Sequence, residues 1–161
     1  MRKRWWRIAK PYLRGCRVLA LDDEGRVLLV RHAYGSGWWM APGGGLSRGE
    51  APIAGALREL REETGCLLQD PFEIALSEEP LQGATNGVHI VAGRTADLPR
   101  ADGREVLEAR FFAADALPPD MPAMLRTHLP AWITAAKAGR PADPPPIPPR
   151  RPVPPPPAKT A

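Results

Sequence analysis

The stretch that decides the fold runs from Gly44 to Cys66 and reads GGLSRGEAPIAGALRELREETGC. It predicts a helix from Pro52 to Thr64, because proline suits a first helical turn and Gly65 can end a helix in the left-handed conformation. Four apolar residues recur at i, i+3, i+4 and i+7 and predict one buried stripe on this helix: Ile53, Ala56, Leu57 and Leu60.

Three carboxylates lie on the remaining surface of this helix. Glu59, Glu62 and Glu63 are spaced i, i+3 and i+4, which places them within one turn of each other. Like charges at this spacing repel by about 0.2–0.5 kcal/mol per pair, and a divalent cation would turn that repulsion into attraction. Carboxylate oxygens suit Mg²⁺ or Mn²⁺. The alternative is an ordinary solvated helix face, in which Arg58 pairs with Glu62.

Read with its fixed gaps, the stretch is G-x5-E-x7-R-E-U-x-E-E-x-G-U, where U is a bulky aliphatic residue. It resembles the Nudix box over all 23 residues, and Cys66 at the last position is the one soft departure. The preceding Trp38–Gly43 segment is similar to the strand and Pro-Gly-Gly entry of that family. The resemblance implies an α/β protein, a Nudix-type α/β/α sandwich with a mixed central sheet. It also implies hydrolysis of a nucleoside diphosphate linked to another group.

The resemblance also implies the roles of individual residues. Its metal ligands, for Mg²⁺ or Mn²⁺, would be Glu59, Glu62, Glu63 and the Gly43 carbonyl, with Glu59 or a nearby carboxylate orienting the attacking water. Arg58 would orient the glutamates, and Glu50 and Gly65 would be structural. A further catalytic carboxylate is expected ahead of a late strand, where Glu105 is the first candidate and Glu108 the second.

Substrate contacts are expected beside the phosphate loop. The candidates are Gly43, Gly44, Gly45, Trp38 and Arg31. Alternation along the strand would bury one of Trp38 and Trp39 and turn the other toward the cleft, where it could stack on a base. Packing of both rings in the core is the preferred interpretation. The three histidines are scattered and support no catalytic triad.

Other elements follow from local patterns. β-rich runs at Cys16–Leu21 and Arg26–Arg31 flank a turn at Asp22–Gly25, which predicts a hairpin. Two further strands are expected at Gly87–Arg94 and Glu108–Ala113. A second helical pattern covers Met121–Ala138 and is interrupted by Pro130.

Charge and proline divide the chain into three parts. Residues 1–17 hold seven basic residues and no acid, residues 18–136 hold 10 basic residues and 17 acids, and residues 137–161 hold five basic residues and one acid. Eleven of the 21 prolines lie between Pro141 and Pro157. We therefore expect a basic, aromatic segment at 1–14, a Nudix hydrolase domain at 15–138 and a proline-rich disordered tail at 139–161. An acidic middle is unlike a basic nucleic-acid-binding domain.

The substrate preferred from sequence is a small nucleotide, a nucleoside diphosphate sugar similar to ADP-ribose. Pro80, 15 residues after Gly65, lies near a proline of ADP-ribose-type members. The alternatives are a nucleoside triphosphate pyrophosphatase, an RNA 5′-end pyrophosphohydrolase steered by the basic N-terminus, and a non-catalytic nucleotide-binding module with a Nudix fold.

The two ends of the chain leave several partners open. The N-terminal segment could pack on the domain as a short helix, touch an anionic membrane surface or contact nucleic acid. The proline-rich tail is either solvated or a PxxP ligand for a partner. No transmembrane segment is expected, and the missing targeting and disulfide signals predict a cytoplasmic protein. The oligomeric state stays open.

Overall fold

The structure, a computed structural model, describes residues 14–81 and 84–142, with side chains omitted at 79–86. The predictions for the N-terminal segment and for the proline-rich tail lie almost wholly outside these residues. The described chain forms these elements in order: β1 (Arg14–Leu21), β2 (Val27–His32), β3 (Trp39–Met40), β4 (Gly43–Gly45), α1 (Pro52–Thr64), β5 (Gln69–Leu81), β6 (Ala84–Arg94), β7 (Val106–Phe112) and α2 (Ala123–Ala138).

All seven of these strands belong to one sheet. The main path is β3-β2-β1-β6-β5, with β4 paired to β1 and β7 paired to β2. Strands β1 and β6 are parallel, from Arg14 opposite Gly87 to Leu21 opposite Arg94, and the other pairs are antiparallel. The sheet is therefore mixed, as predicted.

The sheet buries one core on each face. The core under α2 includes Leu19, Leu29, Ile90, Leu129, Trp132 and Ile133. The core under α1 includes Cys16, Val18, Leu28, Ala56, Leu60 and Val91. Neighbours on β1 and β2 alternate between the two cores because successive strand side chains point to opposite faces. This arrangement is the α/β/α sandwich expected from the sequence.

Helix α1 has the predicted ends but a different buried face. Gly65 adopts φ 76° and its N–H donates to the Arg61 carbonyl, which closes the helix. Ala56 and Leu60 are buried as expected, whereas Leu57 is 36% exposed, so its place in the buried stripe was wrong. The buried arc instead takes in two glutamates, Glu59 and Glu63.

Two further elements differ from the sequence-based expectation. Strand β5 was not anticipated, because Pro71, Pro80 and several acids weaken its strand pattern. It forms an edge of the sheet, where proline is tolerated. Helix α2 runs through Pro130 without the predicted interruption. Pro130 is exposed while Leu129 and Ile133 beside it are buried, so core packing offsets the local cost of proline.

Candidate active site

A strand of three glycines brings the backbone against the helix carboxylates. At Gly43 any side chain would overlap the Cys16 carbonyl of β1, so only glycine fits. The Gly43 N–H donates to Glu63 Oε2 at 3.2 Å. A Cβ at Gly44 would lie only 2.8 Å from Glu59 Oε1. Strand β4 is therefore the surface on which both buried carboxylates rest.

Glu59 and Glu63 are almost fully buried, at 5% and 4% exposure. Burying a carboxylate is costly unless it is bonded. Glu59 Oε1 accepts a bond from Arg58 Nη1 at 2.7 Å. Glu63 Oε1 lies 3.3 Å from His32 Nε2. Glu62 is more open, and its Oε2 lies 3.7 Å from Arg58 Nη1. The helix thus keeps two carboxylates buried and a third at the rim.

Arg58 ties the helix to the loop that precedes it. Its Nε and Nη2 donate to the two Glu50 oxygens at 2.8 and 2.7 Å, and Nη2 also donates to the Gly45 carbonyl at 3.3 Å. These bonds to Glu50 raise the pKa of the Arg58 guanidinium above its ordinary value, with Glu59 adding to the effect. Glu50 also accepts from the Ser47 N–H at 3.0 Å. A permanent positive charge is thereby fixed beside Glu59.

The donor atoms at this site suit a hard divalent cation. Glu59, Glu62 and Glu63 offer only carboxylate oxygens, and the absence of a Cβ at Gly44 lets the Glu59 carboxylate lie directly against the backbone of β4. Across residues 14–81 and 84–142, no three His, Cys, Asp or Glu side chains converge to hold a metal ion as they stand. The glutamates face Arg58 and His32 instead. The residue types fit Mg²⁺ or Mn²⁺, and binding would require these carboxylates to exchange partners.

A cleft of about 350 Å³ opens along β4. Its lining combines the backbone of glycines, including the three of β4, with a few larger side chains. The larger side chains include Arg17, His32, Tyr34, Trp38 and Met40. Trp38 is 46% exposed in this cleft, whereas Trp39 is 6% exposed and packs edge-on against Phe112. The preferred interpretation, with both tryptophans in the core, was therefore wrong.

Three residues of the cleft were missed in the sequence. His32 ends β2 at a bulge, is buried and contacts Glu63. The ring of Tyr34 stacks on His32 with centroids 4.9 Å apart. Arg17 brings a positive charge to the cleft, with Nη1 3.5 Å from the Ala41 carbonyl. Alternation along β2 could have placed His32 on the face of α1, but nothing in the sequence paired it with Glu63.

Two predicted site residues lie outside the cleft lining. Arg31 forms an ion pair with Glu108 across β2 and β7, with Nη2 3.0 Å from Oε1. Because Arg31 and His32 are consecutive in a strand, they point to opposite faces. Glu105 precedes β7, and its carbonyl accepts the Ala33 N–H at 2.9 Å. The backbone of Glu105 is thus bonded to Ala33, the residue that follows His32.

The sequence of this chain is similar to those of known proteins. The family model for the NUDIX domain matches residues 11–133. An RNA pyrophosphohydrolase of Bartonella bacilliformis is 40% identical over 63 residues, which are 34% of this chain and 37% of that protein. An ADP-ribose pyrophosphatase of Mycobacterium tuberculosis is 46% identical over 52 residues, which are 30% of this chain and 25% of that protein. The chain therefore spans well under half the length of these relatives.

Solved structures share the fold. A MutT NUDIX hydrolase from Burkholderia pseudomallei superposes with a TM-score of 0.66 at 23% identity, covering 74% of this chain and 97% of that chain. In the part of the chain that the structure describes, no helix has the length and apolar character to cross a membrane.

Proposed function

Because the chain belongs to the Nudix family, we propose that it hydrolyses the diphosphate linkage of a nucleoside diphosphate joined to another group, with Mg²⁺ or Mn²⁺ as cofactor. The observation that carries the proposal is the pair of buried carboxylates, Glu59 and Glu63, held against the bare backbone of β4 beside the cleft. Arg58 brings one positive charge to Glu59 and Glu62, and a bound cation would neutralise the negative charge of the three glutamates that Arg58 leaves uncompensated.

The cation would be held by Glu59, Glu62, Glu63 and the Gly43 carbonyl. When bound, such a metal neutralises phosphate charge and lowers the pKa of a coordinated water. Glu105 is retained as the further catalytic carboxylate. Its backbone bond to Ala33 keeps it beside the end of β2, next to the His32 that contacts Glu63.

The remaining residues of the site position the glutamates or contact the substrate. Arg58 fixes Glu59 and, through Glu50, the loop between β4 and α1. Gly43 and Gly44 line the cleft with backbone, and their lack of a Cβ lets β4 lie against Cys16 and Glu59. Arg17 supplies a positive charge in the cleft, which favours a polyphosphate over a neutral ligand.

The preferred substrate is a nucleoside diphosphate sugar similar to ADP-ribose. The position of Pro80 and the relative named ADP-ribose pyrophosphatase support it. The 5′-triphosphate end of RNA is the second candidate, because other relatives are named RNA pyrophosphohydrolases. Both substrates present a phosphoanhydride to the same glutamates.

A substrate panel tests the proposal. Purified protein with Mg²⁺ would be incubated with ADP-ribose, nucleoside triphosphates and 5′-triphosphorylated RNA, and the products separated by chromatography. We expect AMP and ribose 5-phosphate from ADP-ribose at a rate abolished by EDTA. Faster release of pyrophosphate from RNA would favour the second candidate. Binding of nucleotides without turnover of any of them would instead favour the non-catalytic module.

A further inference from the structure

Trp38, like Tyr34, is a half-exposed aromatic side chain that lines the cleft, with exposed fractions of 46% and 47%. Its neighbour Trp39 is buried and packs against Phe112, so the core beneath β3 is already filled. Trp38 and Met40 alternate with Trp39 along the chain and both line the cleft, as side chains on one face of a strand do. A half-exposed aromatic ring at the wall of a cleft offers a planar ligand a face on which to stack.

The loop of residues 33–38 carries this ring, and bonds at both of its ends fix the course of its backbone. The Trp38 N–H donates to Ser36 Oγ at 3.3 Å. At the other end of the loop, Tyr34 stacks on His32, which contacts Glu63. The loop is therefore linked at one end, through Tyr34 and His32, to the buried Glu63, and at the other end it leads into β3.

The rest of the cleft lining defines what kind of ligand fits beside Trp38. Gly35 and Gly37 also line the cleft, and a Cβ built on either would meet nothing within 4 Å, which leaves room for a planar ring. Arg17 offers a positive charge to an anionic group of the same ligand. An aromatic surface, a cation and nearby carboxylates for a metal together match a nucleotide, whose base is planar and whose phosphates are anionic.

We propose that the indole of Trp38 is the surface on which the nucleobase of the substrate stacks, which makes Trp38 a specificity-determining residue. The assignment rests on the proposed hydrolase function and adds to it the position of the base. Stacking accepts any base, because every base has an aromatic face. Trp38 should therefore favour nucleotides over base-free sugar phosphates without strong choice among the four bases.

The test compares ligands that differ only by the base. Dissociation constants of AMP, GMP, CMP and UMP and of ribose 5-phosphate would be measured by ligand-observed NMR titration in EDTA, so that neither metal nor turnover contributes. The wild-type protein should bind the nucleotides more tightly than ribose 5-phosphate by about 5- to 150-fold, the range of one stacked base. Absence of such a preference in the wild type would overturn the proposal.

Variants at position 38 separate stacking from packing. Trp38→Ala and Trp38→Leu should bring the nucleotide dissociation constants to that of ribose 5-phosphate, while Trp38→Phe should keep most of the preference. Leu98→Ala, at an exposed leucine outside the cleft lining, is the matched control and should behave as wild type. If Trp38→Leu keeps the preference as well as Trp38→Phe does, the ring is not the recognition element and the proposal fails.

The binding test of Trp38 and the substrate panel can fail separately, so their results distinguish the stacking site from the hydrolase function. A base preference lost in Trp38→Leu, together with no turnover in the substrate panel, would keep the stacking site and reject the hydrolase. Turnover in the panel, with a base preference that Trp38→Leu leaves unchanged, would keep the hydrolase and reject the stacking site.

Discussion

Replacing Gly44 with alanine tests whether the close approach of β4 to Glu59 matters for chemistry. The new Cβ would stand 2.8 Å from Glu59 Oε1 and 2.9 Å from its Cδ, whereas ordinary contact begins near 3.4 Å. The carboxylate would have to retreat by about 0.6 Å, against a 2.7 Å bond from Arg58 that holds it. A displacement of ~1 Å in a reacting group can cost ~100-fold in rate, so we expect kcat to fall by roughly 10- to 100-fold.

The same substitution should leave stability nearly unchanged. Gly44 does not use a left-handed backbone conformation, so alanine is compatible with its φ. Alanine also restricts the unfolded chain, which stabilises by about 0.4–1 kcal/mol and offsets part of the clash. We therefore expect the free energy of unfolding in urea to change by less than about 1 kcal/mol.

The assay pairs steady-state kinetics on the best substrate of the panel with urea unfolding of the same preparations. Gly87→Ala is the matched control, because its Cβ would meet only Leu76 Cδ1 at 3.8 Å. The reasoning is refuted if Gly44→Ala retains the wild-type kcat. It is also refuted if kcat falls only in proportion to a loss of folded protein.

Three further predictions concern stability and pH. Arg58→Met should lower the free energy of unfolding by about 2–3 kcal/mol in urea, because it removes the charged bond from Arg58 to the buried Glu59, and an unchanged midpoint would contradict this role. Leu60→Ala should cost about 2–5 kcal/mol and Leu57→Ala less than about 1 kcal/mol, since only Leu60 is fully buried, and equal losses would disprove the observed helix face. Burial raises the pKa of the Cys16 thiol from 9.0 to about 11, so the unfolded chain loses this proton first and stability should fall as pH rises from 9 to 11. In Cys16→Ala the decrease in the free energy of unfolding between pH 9 and 11 should be smaller by about 1–3 kcal/mol than in the wild type. The same pH dependence in both proteins would show that Cys16 does not cause the decrease.

The central stretch of the sequence predicted the helix and the identity of its carboxylates well, but not their surroundings. The i, i+3, i+4 spacing placed Glu59, Glu62 and Glu63 on one turn, and the structure shows them there. The hydrophobic pattern alone suggested that Leu57 is buried, whereas the helix turns Glu59 and Glu63 inward. Glu59 can face inward because Gly44 of β4 has no side chain at the place where the carboxylate lies. The hydrophobic pattern of the helix carries no information about this contact.

Residues brought in by other strands could not be placed from sequence. His32 reaches Glu63 because β2 ends beside α1, and the register of β2 against β7 pairs Arg31 with Glu108 before it shifts at His32. The same register turns Arg31 to Glu108 on β7, away from the cleft. Long-range pairing of this kind leaves no local signal, since it depends on the order of strands in the sheet. Alternation predicted that one of Trp38 and Trp39 would face the cleft without deciding which, and the structure shows that it is Trp38.

The most direct test of the central claim is the Mg²⁺ dependence of hydrolysis in Glu63→Gln. Glutamine has the size of glutamate, and its amide can still accept from the Gly43 N–H and donate to His32, so the fold should persist. The loss of one ligand charge should lower the Mg²⁺-dependent rate by about 10²–10⁴-fold, while Glu78→Gln, at an exposed position on β5, should leave it unchanged. A folded Glu63→Gln protein that hydrolyses the best substrate at the wild-type rate and with the wild-type Mg²⁺ dependence would contradict the account.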